Sequence, residues 1–478
     1  MPHNTDLKKI VRNNIYVCQI YFSRARRARR KAFTATAAYM VPLVLGVLSS
    51  RAAQALPSFA QQTGKPCAQC HTVAYGPALT AYGRQFKLNG YVWGDVTTSI
   101  LPLAMMVQGG FTHTSKDQID PPAPHFATND NLSVDQVSGF YGGRITEHTG
   151  AFVQVTYSGE DRHTHWDNLD VRYARSTSIG NDSVVFGVSG NNNPTVQDLW
   201  NSIPAWGFPY ITSALAPTPA AAPVIAGGLA QLVLGATAYA MVDDHLYLEA
   251  GAYRGLSNSW LSRVGVGADS NPNMVGLSPY WRATWQMDFG ANYFSAGMYG
   301  LNTKLRPDPT SPETDRFNDL GFDATYQYTS DSGHAVAANF TVIHEKQSLD
   351  ASFAAGNSAS NANHLNTVSL DVTYAYLQTG VATVGLFDTT GDTDMGLYAP
   401  APVSGSLNGS PDSRGYVLLL EYVPFGKLDS IARPWLNLRV GVQYTGYQRF
   451  NGAGANYDGF GRSASDNNTL FGFFWLAL

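Results

Sequence analysis

Leu436-Asn437-Leu438-Arg439-Val440-Gly441-Val442-Gln443-Tyr444 is the most informative stretch of this chain, because apolar residues alternate in it with polar residues or glycine. Successive side chains of an extended strand point to opposite faces, so the pattern predicts a strand with one apolar and one polar face. Such a strand suits a barrel with lipid outside and water inside. A soluble sandwich shows the same alternation, but its strands are usually shorter and its loops more even.

The same alternation recurs from about residue 100 to the last residue, for example at residues 169–174, 368–376 and 470–478. Long polar loops lie near residues 113–131, 159–168, 191–227, 255–278, 302–317, 345–364, 389–413 and 448–467. With seven short turns between them, these loops predict an all-β fold, a porin-like 16-stranded transmembrane β-barrel over residues 96–478. Both ends of such a barrel lie on the short-turn, periplasmic side, and its channel is wide enough for a small domain.

The composition agrees with a barrel. The chain has 478 residues and only 14% of them are charged, against about 25% in soluble domains. The mean hydropathy of −0.15 excludes a membrane protein built from many helices. An aromatic content of 12% with a net charge of −4 argues against disorder, and three cysteines are too few for a disulfide-stapled fold.

The first 55 residues have the pattern of a secretory signal. Lys and Arg are concentrated in the first 31 residues, an apolar run follows at residues 32–47, and Ala53-Gln54-Ala55 offers a cleavage site. The apolar run is shorter than the roughly 20 residues of a spanning helix. Removal of residues 1–55 takes away ten of the 31 Lys and Arg residues and one of the 35 acidic residues. The mature chain is therefore acidic, and we expect no nucleic-acid partner.

Cys67-Ala68-Gln69-Cys70-His71 contains both cysteines that remain in the mature chain. C-x-x-C-H is the attachment pattern of haem c, in which the two thiols bond to the porphyrin and the histidine binds the iron. A redox disulfide would need a βαβ context, and a zinc site would need two further ligands nearby. The sequence thus predicts one covalent haem c on Cys67 and Cys70, with His71 as axial ligand.

The predicted haem segment, residues 56–95, is too short to bury a haem alone, so we expect the rest of the chain to help enclose it. The sequence predicts a helix that begins at Pro77 and stops before Gly90. Its predicted haem-covering face consists of Leu79, Tyr82 and Phe86. Arg84 and Lys87 either pair with haem propionates or lie in solvent.

The second axial ligand is less evident. Met105 and Met106 are the nearest methionines after the motif, and a methionine ligand would raise the reduction potential. A methionine in such an apolar run more often simply packs. His113, His125 and His148 are alternatives, and an open sixth position is another.

The loop at residues 191–227 is unusually long and contains Trp200 and Trp206, which favours a loop folded into the channel or over the haem. An exposed Ω-loop is the alternative. Several side chains are candidates to attract a divalent cation, although most loop carboxylates are only solvated. They are Asp117, Asp120, Glu160, Asp161, Asp167 and Asp198, with His163 and His165 as two imidazoles.

Residues 56–64, the C-x-x-C-H motif, residues 83–91, residues 143–150 and the Asn/Pro/Trp-rich loop after residue 190 together carry a family resemblance. They resemble the fused monohaem cytochrome-porins, which are outer-membrane iron oxidases of iron-oxidising bacteria. The resemblance implies that the protein takes an electron from extracellular Fe(II) and passes it through the haem to a periplasmic c-type cytochrome or a blue-copper protein of the rusticyanin type. It also implies a Gram-negative outer-membrane location and no catalytic residue beyond the haem.

Elementary chemistry agrees with this function. No bond to carbon changes, so access of the donor and the haem potential would set the rate. Two rival functions remain open at this stage. One is a diffusion porin in which the haem segment is a plug or gate, and the other is a haem enzyme, such as a peroxidase, with an open sixth position.

Overall fold

The structure is a computed structural model that describes residues 57–73, 75–94, 102–432 and 435–478. The predicted signal, residues 1–55, lies outside the described residues. So does the junction between the predicted haem segment and the barrel, at residues 95–101. Residues 57–94 are called the N-terminal segment below.

Sixteen antiparallel strands form one closed barrel. They are β1 (Leu103–Thr114), β2 (Asn131–Arg144), β3 (Thr149–Ser158), β4 (His163–Ile179), β5 (Asp182–Asn191), β6 (Val233–Val242), β7 (Leu246–Gly255), β8 (Ser278–Phe289), β9 (Asn292–Leu305), β10 (Asp315–Thr329), β11 (His334–Ser348), β12 (Ala362–Tyr376), β13 (Gly380–Gly391), β14 (Ser413–Tyr422), β15 (Asn437–Arg449) and β16 (Thr469–Ala477). Each strand pairs with the next, and β16 closes the barrel on β1, with Met106 opposite Ala477. The predicted 16-stranded barrel is confirmed.

Short and long connections alternate around the barrel as predicted, with two exceptions. The turn predicted as short at residues 425–434 lies in a longer connection, residues 423–436, between β14 and β15. The loop predicted at residues 159–168 is a turn of residues 159–162, because β4 begins at His163 and pairs there with Ser158 of β3. β1 begins and β16 ends at the short-turn end, so both ends of the barrel lie together. In barrels of this type the short turns face the periplasm.

The outer face of the barrel is apolar and the inner face is polar. On β15, Val440 and Val442 are 36% and 51% exposed, whereas Arg439 and Gln443 are 2% and 3% exposed. A continuous outer face of exposed aliphatic and aromatic side chains on a closed barrel is typical of a surface that contacts lipid. The chain is therefore a transmembrane barrel of the outer-membrane type.

The helices are short and do not belong to the barrel wall. They are α1 (Pro57–Thr63), α2 (Cys67–Cys70), α3 (Ala81–Leu88), α4 (Asn258–Arg263) and α5 (Asp350–Ala354). α3 begins at Ala81 and not at Pro77 as predicted, because the Thr80 hydroxyl accepts a hydrogen bond from the Gly83 N–H and caps the helix. Within the described residues, no helix has both the length and the apolar character to cross a bilayer.

The N-terminal segment and one long connection lie inside the barrel and pack against its wall. We call that connection, residues 192–232 between β5 and β6, the lumen loop. Leu88 of α3 packs with Leu199 and Trp200 of the lumen loop and with Tyr239 and Tyr247 of the wall. The prediction that the long Trp-containing loop folds into the channel is confirmed.

Candidate functional site

Helix α2 places Cys67 and Cys70 on one face, because residues three apart in a helix are neighbours. Both cysteines are free thiols and half-buried. Burial raises the pKa of Cys67, and burial together with the neighbouring Cys67 raises the pKa of Cys70 to about 12. Both are thus protonated near neutrality, which disfavours a redox role that needs a ready thiolate.

His71 follows α2 in an extended conformation, and its N–H donates to the carbonyl of Cys67 at 3.0 Å. The chain then turns back, so that the Thr80 N–H donates to the carbonyl of Cys70 at 2.9 Å. The buried Nδ1 of His71 makes no hydrogen bond of normal geometry among the described residues, although the backbone at Gly76 and Ala78 lies close to the ring. Burial, helped by the Arg439 cation, lowers the pKa of His71 to about 4, which keeps the imidazole in the neutral form that binds metals.

Helix α3 packs tightly on α2 at Gly83. A Cβ atom at this position would lie 2.2 Å from the carbonyl oxygen of Cys70, so a side chain cannot be accommodated without moving a helix. The Thr80 hydroxyl donates to the carbonyl of Gln69 in α2 at 2.6 Å. This bond fixes the start of α3 against α2. Gly83 therefore sets the distance between the two helices beside the motif.

A cavity of about 540 Å³ opens beside the motif inside the barrel, within the roughly 300–1,000 Å³ of small-molecule and cofactor sites. Cys67, Cys70 and His71 all line it. Its apolar lining includes Leu79, Phe86, Phe140, Phe152, Trp206 and Trp475, and its amide lining includes Gln108, Gln136, Gln154 and Asn168. The N-terminal segment, the lumen loop and the barrel wall thus enclose one space.

These residues fit a covalently bound haem c. Two thiols lie on one helix face, a neutral imidazole whose Nδ1 lacks a hydrogen bond of normal geometry follows, and all three open on the cavity. Cys67 and Cys70 would hold the porphyrin and His71 the iron. Of the three residues of the predicted haem-covering face, Leu79 and Phe86 line this space and Tyr82 does not.

The barrel wall separates the two predicted methionine ligands. Met105 is 49% exposed on the outer face, whereas Met106 is 7% exposed and lines the cavity. The Met105 side chain points away from the barrel interior, which excludes it as a distal ligand. Of the two methionines, only Met106 faces the cavity beside the motif. None of the alternatives His113, His125 and His148 lines the cavity.

Arg84 and Lys87 are buried, so the solvent-exposed alternative is wrong for both. Arg84 donates to the carbonyl of Leu79 at 3.0 Å and to Oε1 of Gln327 at 2.9 Å. Lys87 lines the cavity, and its Nζ donates to the lumen loop at the carbonyl of Val196, at 2.9 Å. Burial lowers the pKa of Lys87 to about 7. Of these two cations, Lys87 is the one placed to meet an anionic group in the cavity.

Asp198, a predicted cation-attracting acid, is instead fully buried in the lumen loop. Its Oδ1 lies 3.3 Å from Nη2 of Arg282, which also contacts Asp323 of β10 at 2.9 Å. Its Oδ2 accepts from the N–H of Ser202 at 3.0 Å. Asp198 therefore anchors the lumen loop to the wall.

The other predicted cation-attracting residues are not gathered into a site. Asp167, His163 and His165 lie on β4, and Glu160 and Asp161 lie in the turn before it. Within residues 57–73, 75–94, 102–432 and 435–478, no group of three or more His, Cys, Asp or Glu side chains is arranged to hold a metal ion. Asp167 is the carboxylate that lines the cavity, where it accepts hydrogen bonds from Thr156 and Gln231.

The sequence did not identify Arg439, Tyr75 and Trp475 as site residues. Arg439 donates to the carbonyl of Tyr75, and the Tyr75 hydroxyl donates to the carbonyl of Trp475. An arginine on the predicted inward face of β15 was a usable signal. Its partners in the N-terminal segment, Val73 and Tyr75, lie more than 360 residues away in the chain, however, and no local pattern reveals them.

No family model matches the sequence, and no curated protein matches it. Several solved structures are similar to this chain. OmpF of Salmonella typhi in complex with daunomycin has 12% identity and a TM-score of 0.42, over 79% of this chain and 97% of that chain. The anion-selective porin of Comamonas acidovorans has 11% identity and a TM-score of 0.41, over 79% and 99%. OmpT of Vibrio cholerae has 11% identity and a TM-score of 0.39, over 79% and 97%. At such values the similarity carries no argument, and the fold rests on the strand pairing described above.

Proposed function

We propose that this protein is an outer-membrane electron carrier with one covalent haem c. It would take electrons from extracellular Fe(II) and pass them to a periplasmic c-type cytochrome or blue-copper protein. The observation that carries the proposal is the opening of Cys67, Cys70 and His71 onto one cavity inside a closed transmembrane barrel. The Fe(II) donor rests on the family resemblance.

The proposed reaction is an electron transfer, so the protein need not make or break a covalent bond of the substrate. The haem, when bound, supplies reversible one-electron chemistry at its iron. The chain holds a neutral imidazole at His71 and places apolar side chains such as Phe152 and Trp206 of the lumen loop around the site. Oxidation of Fe(II) outside the cell would leave insoluble Fe(III) at the surface while only the electron enters.

The direct test is to add Fe(II) to the purified, oxidised protein at the growth pH of the organism and to follow the haem α-band. We expect Fe(II) to reduce the haem. The variant H71G should no longer show this reduction, but its barrel should still fold, because His71 lies outside the sixteen strands. A protein without covalent haem, or with a haem that Fe(II) does not reduce, contradicts the proposal.

A diffusion porin closed by its N-terminal segment is the second candidate. The closed 16-stranded barrel with a polar inner face favours it, because this architecture by itself is that of a porin. Reconstituted protein that conducts small solutes rapidly, with no Fe(II)-dependent haem reduction, would favour this function over electron transfer.

A further inference from the structure

Arg439 is a buried arginine on the inner face of β15, near the periplasmic end of the barrel. Its side chain is 2% exposed. It belongs to no motif, and it lies opposite Trp475 in the pairing of β15 with β16. A buried guanidinium is costly unless its donors are satisfied, so its partners show what it does.

The partners of Arg439 are the residues directly after the haem motif. Nη2 donates to the carbonyl of Val73 at 3.0 Å and to that of Tyr75 at 2.7 Å. At Gly76 a Cβ atom would lie 3.2 Å from Nη1, and the φ of +112° there also favours glycine. One strand residue thus holds the turn that follows His71 against the wall.

Arg439 is itself held on several sides. Nε lies 3.2 Å from Oε1 of Glu421 on β14, and the guanidinium carbon lies 5.2 Å from the ring centroid of Tyr75 and 5.3 Å from that of Trp475. The Tyr75 hydroxyl donates to the carbonyl of Trp475, which ties the same turn to β16. The cation cannot move away from the motif without breaking these contacts.

A fixed cation in a low-dielectric site acts on any redox centre beside it. Oxidation of a haem adds one positive charge to the iron, and a neighbouring cation opposes that gain. The neighbouring charge therefore favours the reduced form. Glu421 offsets part of this effect, because its carboxylate is paired with the same guanidinium.

We propose that Arg439 is a positioning residue for the haem motif and that its charge raises the reduction potential of the bound haem. The proposal rests on the haem of the proposed function. Arg439, a residue of the barrel wall, would thus influence the potential of a haem that the N-terminal segment holds.

The test is an equilibrium redox titration of the purified, haem-loaded protein and three variants. R439Q keeps a hydrogen-bond donor without the charge, so its midpoint potential should fall. R439K keeps the charge, so its potential should stay near that of the unmodified protein. R414Q is the matched control, because Arg414 forms an exposed ion pair with Asp388 and should leave the potential unchanged. Equal potentials in R439Q and the unmodified protein overturn the proposal.

E421Q keeps the proposal testable if R439Q does not fold or load haem. It leaves Arg439 without its counter-charge, so the potential should rise, opposite in sign to R439Q. A fall or no change overturns the role of the charge.

The positioning role has its own readout, hydrogen exchange of the amides at residues 71–80. Exchange should be faster in R439Q than in R414Q, and equal exchange overturns this role. If the unmodified protein holds no haem, the proposed function fails. The exchange measurement still decides the positioning role in that case.

Discussion

At the scale of single residues, the side of the barrel wall to which a side chain points distinguishes two candidate haem ligands that look equivalent in the sequence. Met105 and Met106 are adjacent in β1, and the twofold period of a strand sends one toward lipid and the other into the cavity. The sequence placed both beside the motif. The register of β1 against its neighbours was needed to choose between them.

M106A tests the remaining methionine. If Met106 is the distal ligand, its loss should lower the haem potential and change the absorption spectrum, since a methionine ligand raises the potential. M105A is the matched control, because this side chain faces lipid and should leave both unchanged. Identical spectra and potentials in M106A and the unmodified protein would show that another ligand, or none, completes the site.

The pH response of His71 is a second prediction at this scale. Burial lowers the pKa of His71 to about 4, whereas an exposed histidine titrates near 6.5. A lowered pKa preserves the neutral ring as the pH falls, and bound iron competes further with the proton, so axial ligation should persist from neutrality down to at least about pH 4. A pH titration followed in the Soret band measures this. A shift of the Soret maximum near pH 6 would contradict the buried position of the imidazole.

At the scale of elements, the contact between α2 and α3 determines the site more than either helix does alone. The sequence predicted the cysteines and a helix near residues 77–88, but it could not predict the close approach at Gly83. That approach depends on the path of the chain between the two helices, which is held by hydrogen bonds such as that from Thr80 to Cys70. Thr80, a good N-cap residue, was the available signal for the true start of α3.

G83A should separate these helices. The new methyl group would meet the carbonyl of Cys70 at 2.2 Å, and overpacking of this kind costs about 1–3 kcal/mol. We expect less covalent haem per protein, measured by absorbance against protein concentration. G139A in β2 is the control, because a Cβ there meets no atom within 4 Å. Equal haem content in both variants would show that the helix contact is not needed for attachment.

At the scale of the whole molecule, the fold was far more predictable than the filling of its interior. Alternating residues reveal a strand locally, and the fifteen connections predicted between such strands suffice to count sixteen of them. The lumen contacts join distant parts of the chain instead, as in the bond from Lys87 to Val196. Nothing in either segment alone identifies the other as its partner.

Closure of the lumen makes a prediction about permeability. The N-terminal segment occupies the barrel interior, while the sixteen strands pair only with one another. Full-length protein in liposomes should therefore pass small sugars slowly, and a chain that lacks residues 57–94 should pass them much faster. Liposome swelling measures both rates. Equal rates would mean that the lumen loop alone closes the barrel, or that the segment leaves an open path.

The seam between β1 and β16 has a consequence for biogenesis. It joins the first and last strands of the chain, so it cannot form until the whole barrel has been synthesised and exported. The cavity beside Cys67 and Cys70 is enclosed only once that seam is closed, because Met106 and Trp475 on either side of it form part of the cavity wall. If haem is attached to these cysteines, the attachment enzymes must therefore reach them in the periplasm before the strands close around them. The order of assembly would then be cofactor first and membrane insertion second.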